Sequence, residues 1–270
     1  MTEMITETIA FIGSGFMAGA MIRGIVEAGV VDPRRVLVVN PADTAGRDAL
    51  CEKYGVTAAE PSDIAGANIV FFAVKPQTFP EVAAAYGEYF TPDKLYLTIM
   101  AGVSTEKVAS AAGGGKVVRF MPNLALSVGK SATGFSLGEG CGERERDIAV
   151  ALFAPLGEIR ELPEEKLSAV TALSGSGPAY FYYLCEAMTE AAVADGMDEE
   201  TARALAVQTF IGTAKLIEDS GETPTEMRRR ITSKKGTTEA GIGAMTDAGF
   251  FAAVAAGYDA ARKRSDELGK

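Results

Sequence analysis

Two short stretches of the sequence have residue types and spacing suited to binding anions. The first, near the amino end, is Gly13-Ser14-Gly15, with Ala18 three residues later. In this G-x-G-x-x-A pattern the first glycine permits a turn with positive φ, and the second lets the backbone approach a pyrophosphate. The third small residue lets a helix pack closely on a strand. A helix that begins here would offer unpaired N–H groups and partial positive charge to phosphates.

The residues around this turn favour a dinucleotide site over an empty strand–helix connection. Residues 8–12, apolar after Thr8, precede the turn directly, and apolar residues recur with helical spacing after it, at Met17, Met21, Ile22 and Ile25. Glycine-rich turns also occur without a ligand, so that alternative stays open. The order strand, glycine turn, helix predicts the first unit of a dinucleotide-binding sheet.

The second stretch lies near the carboxyl end and reads Thr232-Ser-Lys-Lys-Gly-Thr-Thr238. Its small hydroxyl residues run into a predicted helix start, so several backbone N–H groups and two hydroxyls can converge on one anion. Lys234 and Lys235 add positive potential to a chain whose formal net charge is -10. A carboxylate fits this pattern. The structural alternative is a solvated basic turn capped by Thr237 or Thr238.

Composition excludes several kinds of chemistry. The chain has no histidine, which rules out Ser-His-Asp and Cys-His nucleophiles, His-ligated zinc and a dehydrogenase that uses imidazole as its proton carrier. Cys51, Cys141 and Cys185 are widely separated, so we expect reduced thiols and no metal site. The acidic balance argues against a nucleic-acid surface. Small-molecule chemistry is therefore favoured.

The sequence predicts neither a membrane span nor an export signal. The apolar run of residues 68–74 is ended by Lys75 and Pro76, far short of the ~20 residues that a membrane helix needs. Residues 1–7 are acidic and lack the basic and apolar regions of a secretory signal. We therefore expect a cytoplasmic protein with no membrane partner.

Further apolar runs of strand length end in turn-forming residues, as the strands of a parallel sheet do. The predicted strands are residues 36–40, 69–74, 95–100 and 116–120, with a helix over 44–54 and short strands or a hairpin within 127–142. The carboxyl ends of such strands line the ligand crevice. One site should therefore bring together three strand ends: Lys75-Pro76, Ala101-Gly102 and Met121-Pro122-Asn123. Lys75 can equally be interpreted as a solvated residue before a proline.

Asn40 stands at the end of the second strand, where an acidic residue commonly binds the ribose hydroxyls of NAD and repels the 2′-phosphate of NADP. Asn40-Pro41-Ala42 contains no carboxylate, which favours NADP, whereas Asp43 nearby is the opposing feature. Three arginines are candidate partners of a 2′-phosphate or else plain surface charges: Arg34, Arg35 and Arg47.

Beyond Pro163 the chain becomes alanine-rich and helical, with helices predicted over roughly 179–195, 199–219, 226–231 and 250–268. We predict an α/β Rossmann-type doubly wound sheet over residues 1–162, followed by an all-α domain over residues 163–270. Apolar faces on several helices of a small domain favour burial against a second copy, which predicts an obligate homodimer. Ser174-Gly-Ser-Gly-Pro-Ala-Tyr180 is either a chemical motif or a hinge with a helix start.

In this order the motifs resemble the pyrroline-5-carboxylate reductase family over nearly the whole length. The resemblance rests on residues 11–17, 73–76, 121–123, 169–180 and 232–238. It implies a Rossmann domain that binds NADPH, with NADH as the alternative, and a helical domain that interlocks with a second subunit, often in a ring of dimers. It also implies reduction of the ring C=N of a small cyclic imine carboxylate to give L-proline.

The same resemblance implies which residues form the site. The cofactor would be held by Gly13, Ser14, Gly15, Phe16 and Met17, with Ala73, Val74, Lys75, Pro76, Ala101 and Gly102 along the nicotinamide half. The position of Asn40 at the end of the second strand adds it to this set. Glu164 matches an acidic residue of the substrate region. The loop that receives the substrate carboxylate corresponds to Ser233, Gly236, Thr237 and Thr238, and the Thr238 hydroxyl would approach the ring nitrogen as the catalytic group.

The chain departs from the family pattern at three places. Ser233-Lys234-Lys235-Gly236 stands where Ser-Pro-Gly-Gly is usual, Leu124-Ala125 where a proline commonly follows, and Ser168 where an aspartate is common. Three alternatives therefore stay open: a reductase of another cyclic imine, a β-hydroxyacid dehydrogenase and a non-catalytic NADP-binding regulatory protein. The dehydrogenases place a catalytic lysine where this chain has Ala179-Tyr180-Phe181-Tyr182, which weighs against that alternative.

Overall fold

The computed structural model describes residues 4–269, which form two compact units. One, the sheet unit, holds the described residues up to Ser176 together with those from Ala261 onward. The other, the helical unit, is Gly177–Ala260. The division falls after Ser176, whereas the sequence places the change in composition near Pro163. The segment between these two positions therefore packs with the sheet while already being helical.

The sheet unit is built on one eight-stranded sheet with the order β3-β2-β1-β4-β5-β6-β7-β8. The strands are β1 Ile9–Ile12, β2 Val36–Val39, β3 Thr57–Ala59, β4 Ile69–Phe72, β5 Leu95–Thr98, β6 Lys116–Met121, β7 Ser131–Leu137 and β8 Gly157–Glu161. Neighbouring strands pair in parallel except β6 and β7, which are antiparallel. The predicted Rossmann-type doubly wound sheet is confirmed.

Helices cover both faces of this sheet. The described residues of the chain form eleven α-helices in all. They are α1 Phe16–Glu27, α2 Thr44–Tyr54, α3 Phe79–Tyr86, α4 Thr105–Ala111, α5 Glu143–Phe153, α6 Leu167–Val170, α7 Gly177–Ala194, α8 Glu199–Ser220, α9 Pro224–Ile231, α10 Thr237–Asp247 and α11 Phe250–Leu268. A π-helical turn, Thr171–Gly175, continues α6. The helix predicted over residues 44–54 has the bounds of α2.

The central strands are apolar throughout because both of their faces are buried. Alternate residues point to opposite faces, so Phe71 joins one hydrophobic cluster and Phe72 the other. On the first face the rings of Phe11 and Phe71 stack with centroids 4.8 Å apart. On the second face Phe72 and Tyr96 stack with centroids 6.0 Å apart. Two separate cores thus fix the sheet between its helical layers.

The helical unit consists of α7 to α10 and most of α11, with no strand between residues 177 and 260. Its helix boundaries follow local capping chemistry. The Asp198 carboxylate accepts the Thr201 N–H at the start of α8, and Thr223 and Glu226 form a capping box ahead of α9. Gly221, with φ 66°, ends α8 in the left-handed region that glycine tolerates.

No single described helix is long and apolar enough to cross a bilayer; only α10 and α11 taken together, bent by 54°, reach that length and composition.

Candidate functional site

In the glycine turn after β1, Gly13 packs tightly against the protein, whereas the space next to Gly15 is open. Gly13 has φ +107°, and a Cβ added there would lie 2.8 Å from the Ala73 carbonyl oxygen. Gly15 is the N-cap of α1 and has no side-chain cap; a Cβ there would meet nothing within 4 Å. The first N–H groups of a twelve-residue helix are thus left facing free space. This is the cradle expected for a phosphate.

The ends of β1 and β2 are joined by a side-chain hydrogen bond. The Asn40 amide Nδ2 donates to the Ser14 hydroxyl at 2.8 Å. Asp43, the nearest carboxylate in sequence, is instead the N-cap of α2, where its Oδ1 accepts the Gly46 N–H at 2.9 Å. The end of β2 therefore presents an amide held by a hydroxyl, and the neighbouring carboxylate is used as a helix cap.

The three candidate arginines differ in their position along β2. Arg34 and Arg35 precede the strand, so roughly 13 Å of backbone separates them from its carboxyl end. Arg34 also forms a two-pronged pair with Asp32, and this hydrogen bonding lowers the pKa of Asp32 to about 2. Arg47 is on the correct side of the strand but is buried, and it donates to Glu60 and to the Ala59 carbonyl. Position therefore excludes Arg34 and Arg35 as 2′-phosphate partners.

The strand-end residues predicted for the nicotinamide half lie along one edge of the sheet, because β1, β4 and β5 are consecutive neighbours. Ala73 packs directly beneath Gly13. Lys75 is exposed and precedes the 3-10 turn Pro76–Thr78. Gly102 has φ +76°, and a Cβ there would lie 2.7 Å from the Leu268 carbonyl oxygen. The carboxyl-terminal end of α11 therefore packs against this turn, a contact that the sequence does not reveal.

Glu164, predicted for the substrate region, lies at the centre of a polar network. Its Oε1 accepts the Thr105 N–H at 2.8 Å and the Arg119 guanidinium at 3.0 Å, and its Oε2 accepts the Thr105 hydroxyl at 2.6 Å. Arg119 is only 6% exposed and stands in register between Thr98 and Ser136 on the neighbouring strands. The network fixes the Glu164 carboxylate at the amino end of α4.

Sequence reasoning missed the Arg119 and Thr105 contributions to this network. The signal was present, since Arg119 interrupts the apolar run Val117-Val118-Arg119-Phe120. A buried arginine in a central strand needs an anionic partner. The partner could not be read from the sequence, because Glu164 lies 45 residues further along the chain.

A tight backbone turn connects α9 to α10 and leads directly into the first turn of α10. The Gly236 N–H donates to the Ser233 carbonyl at 3.0 Å, and a Cβ on Gly236 would collide with the Ser233 hydroxyl. Lys235 has φ 60° and is the only non-glycine residue with positive φ among residues 4–269. The turn thus requires a residue without a side chain at position 236 and a left-handed backbone conformation at position 235.

Gly236 is the N-cap of α10, and no side chain caps the helix. Thr237 and Thr238 are its first two residues, so neither acts as the N-cap that the structural alternative required. The Glu239 carboxylate bends back to accept the Lys235 N–H at 2.7 Å. The first N–H groups of α10 and the two threonine hydroxyls are therefore available to one anion.

Two family models match this chain. Residues 164–268 match pyrroline-5-carboxylate reductase dimerisation, and residues 8–102 match a model described as NADP oxidoreductase, coenzyme F420-dependent. The pyrroline-5-carboxylate reductase of Methanosarcina acetivorans is 36% identical over 270 residues, covering 99% of this chain and 100% of that protein. Pyrroline-5-carboxylate reductase 2 of Bacillus subtilis is 36% identical, covering 96% and 94%. The chain belongs to the pyrroline-5-carboxylate reductase family.

A solved pyrroline-5-carboxylate reductase from Coxiella burnetii superimposes on this chain with a TM-score of 0.91 at 31% identity, covering 98% of this chain and all of the other. The expected family is thereby confirmed, with its reaction class, since its members are NAD(P)H-dependent oxidoreductases that act on a C=N bond. The assignment favours imine reduction over alcohol oxidation and over a purely regulatory role. The roles of individual site residues stay predictions.

Proposed function

We propose that this chain reduces the C=N bond of 1-pyrroline-5-carboxylate with NADPH to give L-proline. The observation that carries the proposal is the similarity to pyrroline-5-carboxylate reductases over nearly the full length of the chain. The two uncapped helix N-termini, at Gly15 and Gly236, add a physical argument, because the reaction needs a dinucleotide phosphate cradle and a carboxylate cradle.

NADPH would supply the hydride when bound at the carboxyl edge of the sheet. Its phosphates would lie over Gly13, Ser14, Gly15, Phe16 and Met17, and its nicotinamide half along residues 73–76 and 101–102. The space above Gly15 fits such a group, since an added Cβ would have no atom within 4 Å beyond its own neighbours along the chain. Preference for NADPH over NADH follows from the end of β2, where Asn40 is held by Ser14 and Asp43 caps α2.

The substrate carboxylate would be held by Ser233, Gly236, Thr237 and Thr238, with Glu164 in the substrate region. The Thr238 hydroxyl orients the ring nitrogen. A cyclic imine takes up a proton readily, and the iminium is already an electrophile for hydride, so the protein has mainly to position its reactants. The product amine needs no further proton from a side chain, which agrees with a chain that contains no histidine.

We further propose that residues 1–162 serve cofactor binding, that residues 163–270 serve substrate binding and dimerisation, and that the homodimers assemble into a ring. The match of residues 164–268 to a dimerisation model supports the dimer. So do large apolar side chains exposed on the helical unit, among them Tyr183 and Phe251, each 74% exposed. Apolar area of this kind is normally buried against a second subunit.

The test is NADPH oxidation by the purified chain with three substrates in parallel: 1-pyrroline-5-carboxylate, a six-membered cyclic imine carboxylate and, in the reverse direction with NADP, a β-hydroxyacid. We expect the highest kcat/KM with the five-membered imine and a higher value with NADPH than with NADH. Faster turnover of the six-membered ring would reassign the substrate. Cofactor binding without turnover of any of them would contradict the proposal.

A further inference from the structure

Two sequence motifs that lie 51 residues apart are joined by a single side chain. The Asn123 amide Nδ2 donates to the Ser174 carbonyl at 3.0 Å. Asn123 follows β6 in the run Met121-Pro122-Asn123, and Ser174 belongs to the π-helical turn Thr171–Gly175. Both residues lie within the sheet unit.

The Ser174 carbonyl lacks the donor that an α-helix would normally give it. An α-helical carbonyl is bonded by the N–H four residues later, and that residue is Pro178, which has no N–H. The helix is already irregular here, since the Ser176 N–H donates to the Thr171 carbonyl at 2.8 Å, five residues back. A half-buried carbonyl without a donor would destabilise this turn. Asn123 provides that donor.

The Asn123 side chain is itself held in place, so the bridge has a fixed geometry. Its Oδ1 accepts the Ala125 N–H at 3.1 Å, which leaves Nδ2 facing Ser174. The Asn123 N–H donates to the Ser131 hydroxyl at 3.2 Å. Among residues 4–269, no hydrogen-bond partner of Asn123 is titratable.

The bridge stands at the same edge of the sheet as the predicted cofactor site. β5 and β6 are parallel neighbours, so Asn123 follows β6 at the edge where Gly102 follows β5. The π-helical turn packs on this edge, because a Cβ on Gly175 would lie 4.0 Å from the Met121 sulfur. Movement of the π-helical turn would therefore displace backbone beside the crevice.

We infer that Asn123 is a positioning residue for imine reduction: by bonding the Ser174 carbonyl, it holds the π-helical turn Thr171–Gly175 against the carboxyl end of β6. This inference rests on the proposed function. Asn123 acts on the reaction through Ser174. It follows β6, which is three strands away from β1 and the phosphate turn at Gly13. Its loss should therefore affect the imine more than NADPH.

The isosteric change Asn123→Asp tests the bridge alone. The new carboxylate keeps the acceptor for the Ala125 N–H but turns the donor that faces Ser174 into a second acceptor. At mildly alkaline pH we expect kcat/KM for the imine to fall by about tenfold, with the NADPH Kd changed by less than about twofold. On lowering the pH, the ratio of variant to wild-type kcat/KM should rise, because a protonated carboxyl can again donate to the Ser174 carbonyl.

Two further variants make the result specific. Asn123→Ala removes the donor without adding a charge, so its kcat/KM ratio should be reduced but constant with pH. Ser127→Ala is the matched control, because the Ser127 hydroxyl also donates to a backbone carbonyl of this stretch, that of Leu124 at 2.9 Å, and takes no part in the bridge. It should retain wild-type kinetics.

Equal kcat/KM for Asn123→Asp and wild type across the pH range would overturn the inference, and so would a reduced ratio that does not change with pH. A loss of thermal stability with unchanged kinetics would show a purely structural role and would overturn it as well. Failure of the wild-type protein to reduce the imine would instead count against the proposed function. The two failures are thus distinguishable.

Discussion

The two units differ in how far they bury their large apolar side chains in a core of their own. In the sheet unit Phe11, Phe71 and Phe120 are fully buried within one chain. In the helical unit Tyr183 and Phe251 are each 74% exposed. The sheet unit therefore carries its own core, whereas the helical unit exposes area that only another surface can cover. The difference agrees with the match of residues 164–268 to a dimerisation model and supports the proposal that a second copy covers the exposed faces of the helical unit.

Phe251→Asp should have the largest effect, because it places a charge in the proposed dimer interface twice, once for each subunit. We expect a loss of about 4 kcal/mol of dimer stability or more, from burial of roughly 2 kcal/mol per aromatic side chain. Sedimentation should show monomer or aggregate. Val128→Asp is the control, since Val128 is 71% exposed but lies in the sheet unit. If the Phe251→Asp protein remains dimeric, the interface lies elsewhere.

Gly13→Ala and Gly15→Ala separate folding of the sheet unit from cofactor binding. Alanine in place of Gly13 would be strained at φ +107° and would approach the Ala73 carbonyl, so we expect about 2 kcal/mol less stability even without NADPH. Alanine in place of Gly15 meets no protein atom. It should cost only about 0.5–1 kcal/mol of stability, because alanine caps a helix less well than glycine, but should weaken NADPH binding by about tenfold or more. Thermal unfolding and fluorescence titration measure the two effects, and unchanged NADPH affinity in Gly15→Ala would refute the phosphate site.

Lys116→Met tests whether the sheet unit is stabilised within one chain. Glu145 is 1% exposed and accepts from the Lys116 ammonium at 2.9 Å. Burial alone would raise the pKa of Glu145, but the bonds from Lys116 and the Gly142 N–H outweigh it and hold the pKa below its usual value. We expect a loss of about 1–2 kcal/mol at neutral pH, less than for a fully buried pair because half of Lys116 is exposed.

The sign of the pH dependence follows from the lowered pKa. The stabilisation by ionised Glu145 is present above the unfolded-state pKa and is lost as the pH falls through the lower native pKa. The difference between wild type and Lys116→Met should therefore shrink in acid. Urea denaturation at several pH values should show this, and the difference between the two proteins should not depend on protein concentration. If this difference changed with protein concentration, the Lys116–Glu145 pair would be coupled to association of the subunits, contrary to a sheet unit that is stabilised within one chain.

Lys235→Gly should have the smallest effect, and it should stabilise. Lys235 has φ 60°, a conformation that costs a lysine roughly 1 kcal/mol relative to glycine. The matched change Lys234→Gly, at a residue without positive φ, should be neutral or slightly destabilising. Thermal unfolding of both variants decides between them. Destabilisation by Lys235→Gly would mean that the lysine side chain supports the turn.

The sequence predicted the central architecture because both faces of the inner strands are buried. The strands that need no tertiary information to find are the apolar β1, β2, β4 and β5 and the mainly apolar β6, in which Arg119 is the interruption. β3 and β8 lie at the sheet edges and are largely exposed, so they lack that signal. The composition change near Pro163 marked the start of helical structure, but the contacts that keep residues 163–176 with the sheet depend on distant partners.

For the candidate site, local patterns were readable and distant pairs were not. The Gly13 turn and the Gly236 N-cap follow from glycine chemistry within a few residues. The Glu164–Arg119 pair and the Asn123–Ser174 bridge join residues 45 and 51 positions apart, which no single-sequence pattern specifies. The left-handed Lys235 was also unpredictable, since lysine disfavours that conformation.

The central claim is that the sheet unit binds the cofactor and the helical unit binds the substrate. It is tested most directly by measuring both the NADPH affinity and the imine kinetics of the Thr238→Ala variant. Thr238 belongs to the helical unit and the phosphate turn to the sheet unit. The account predicts an NADPH Kd within about twofold of wild type and kcat/KM for 1-pyrroline-5-carboxylate lower by at least about tenfold. Wild-type kinetics, or an equal loss of NADPH affinity, would contradict it.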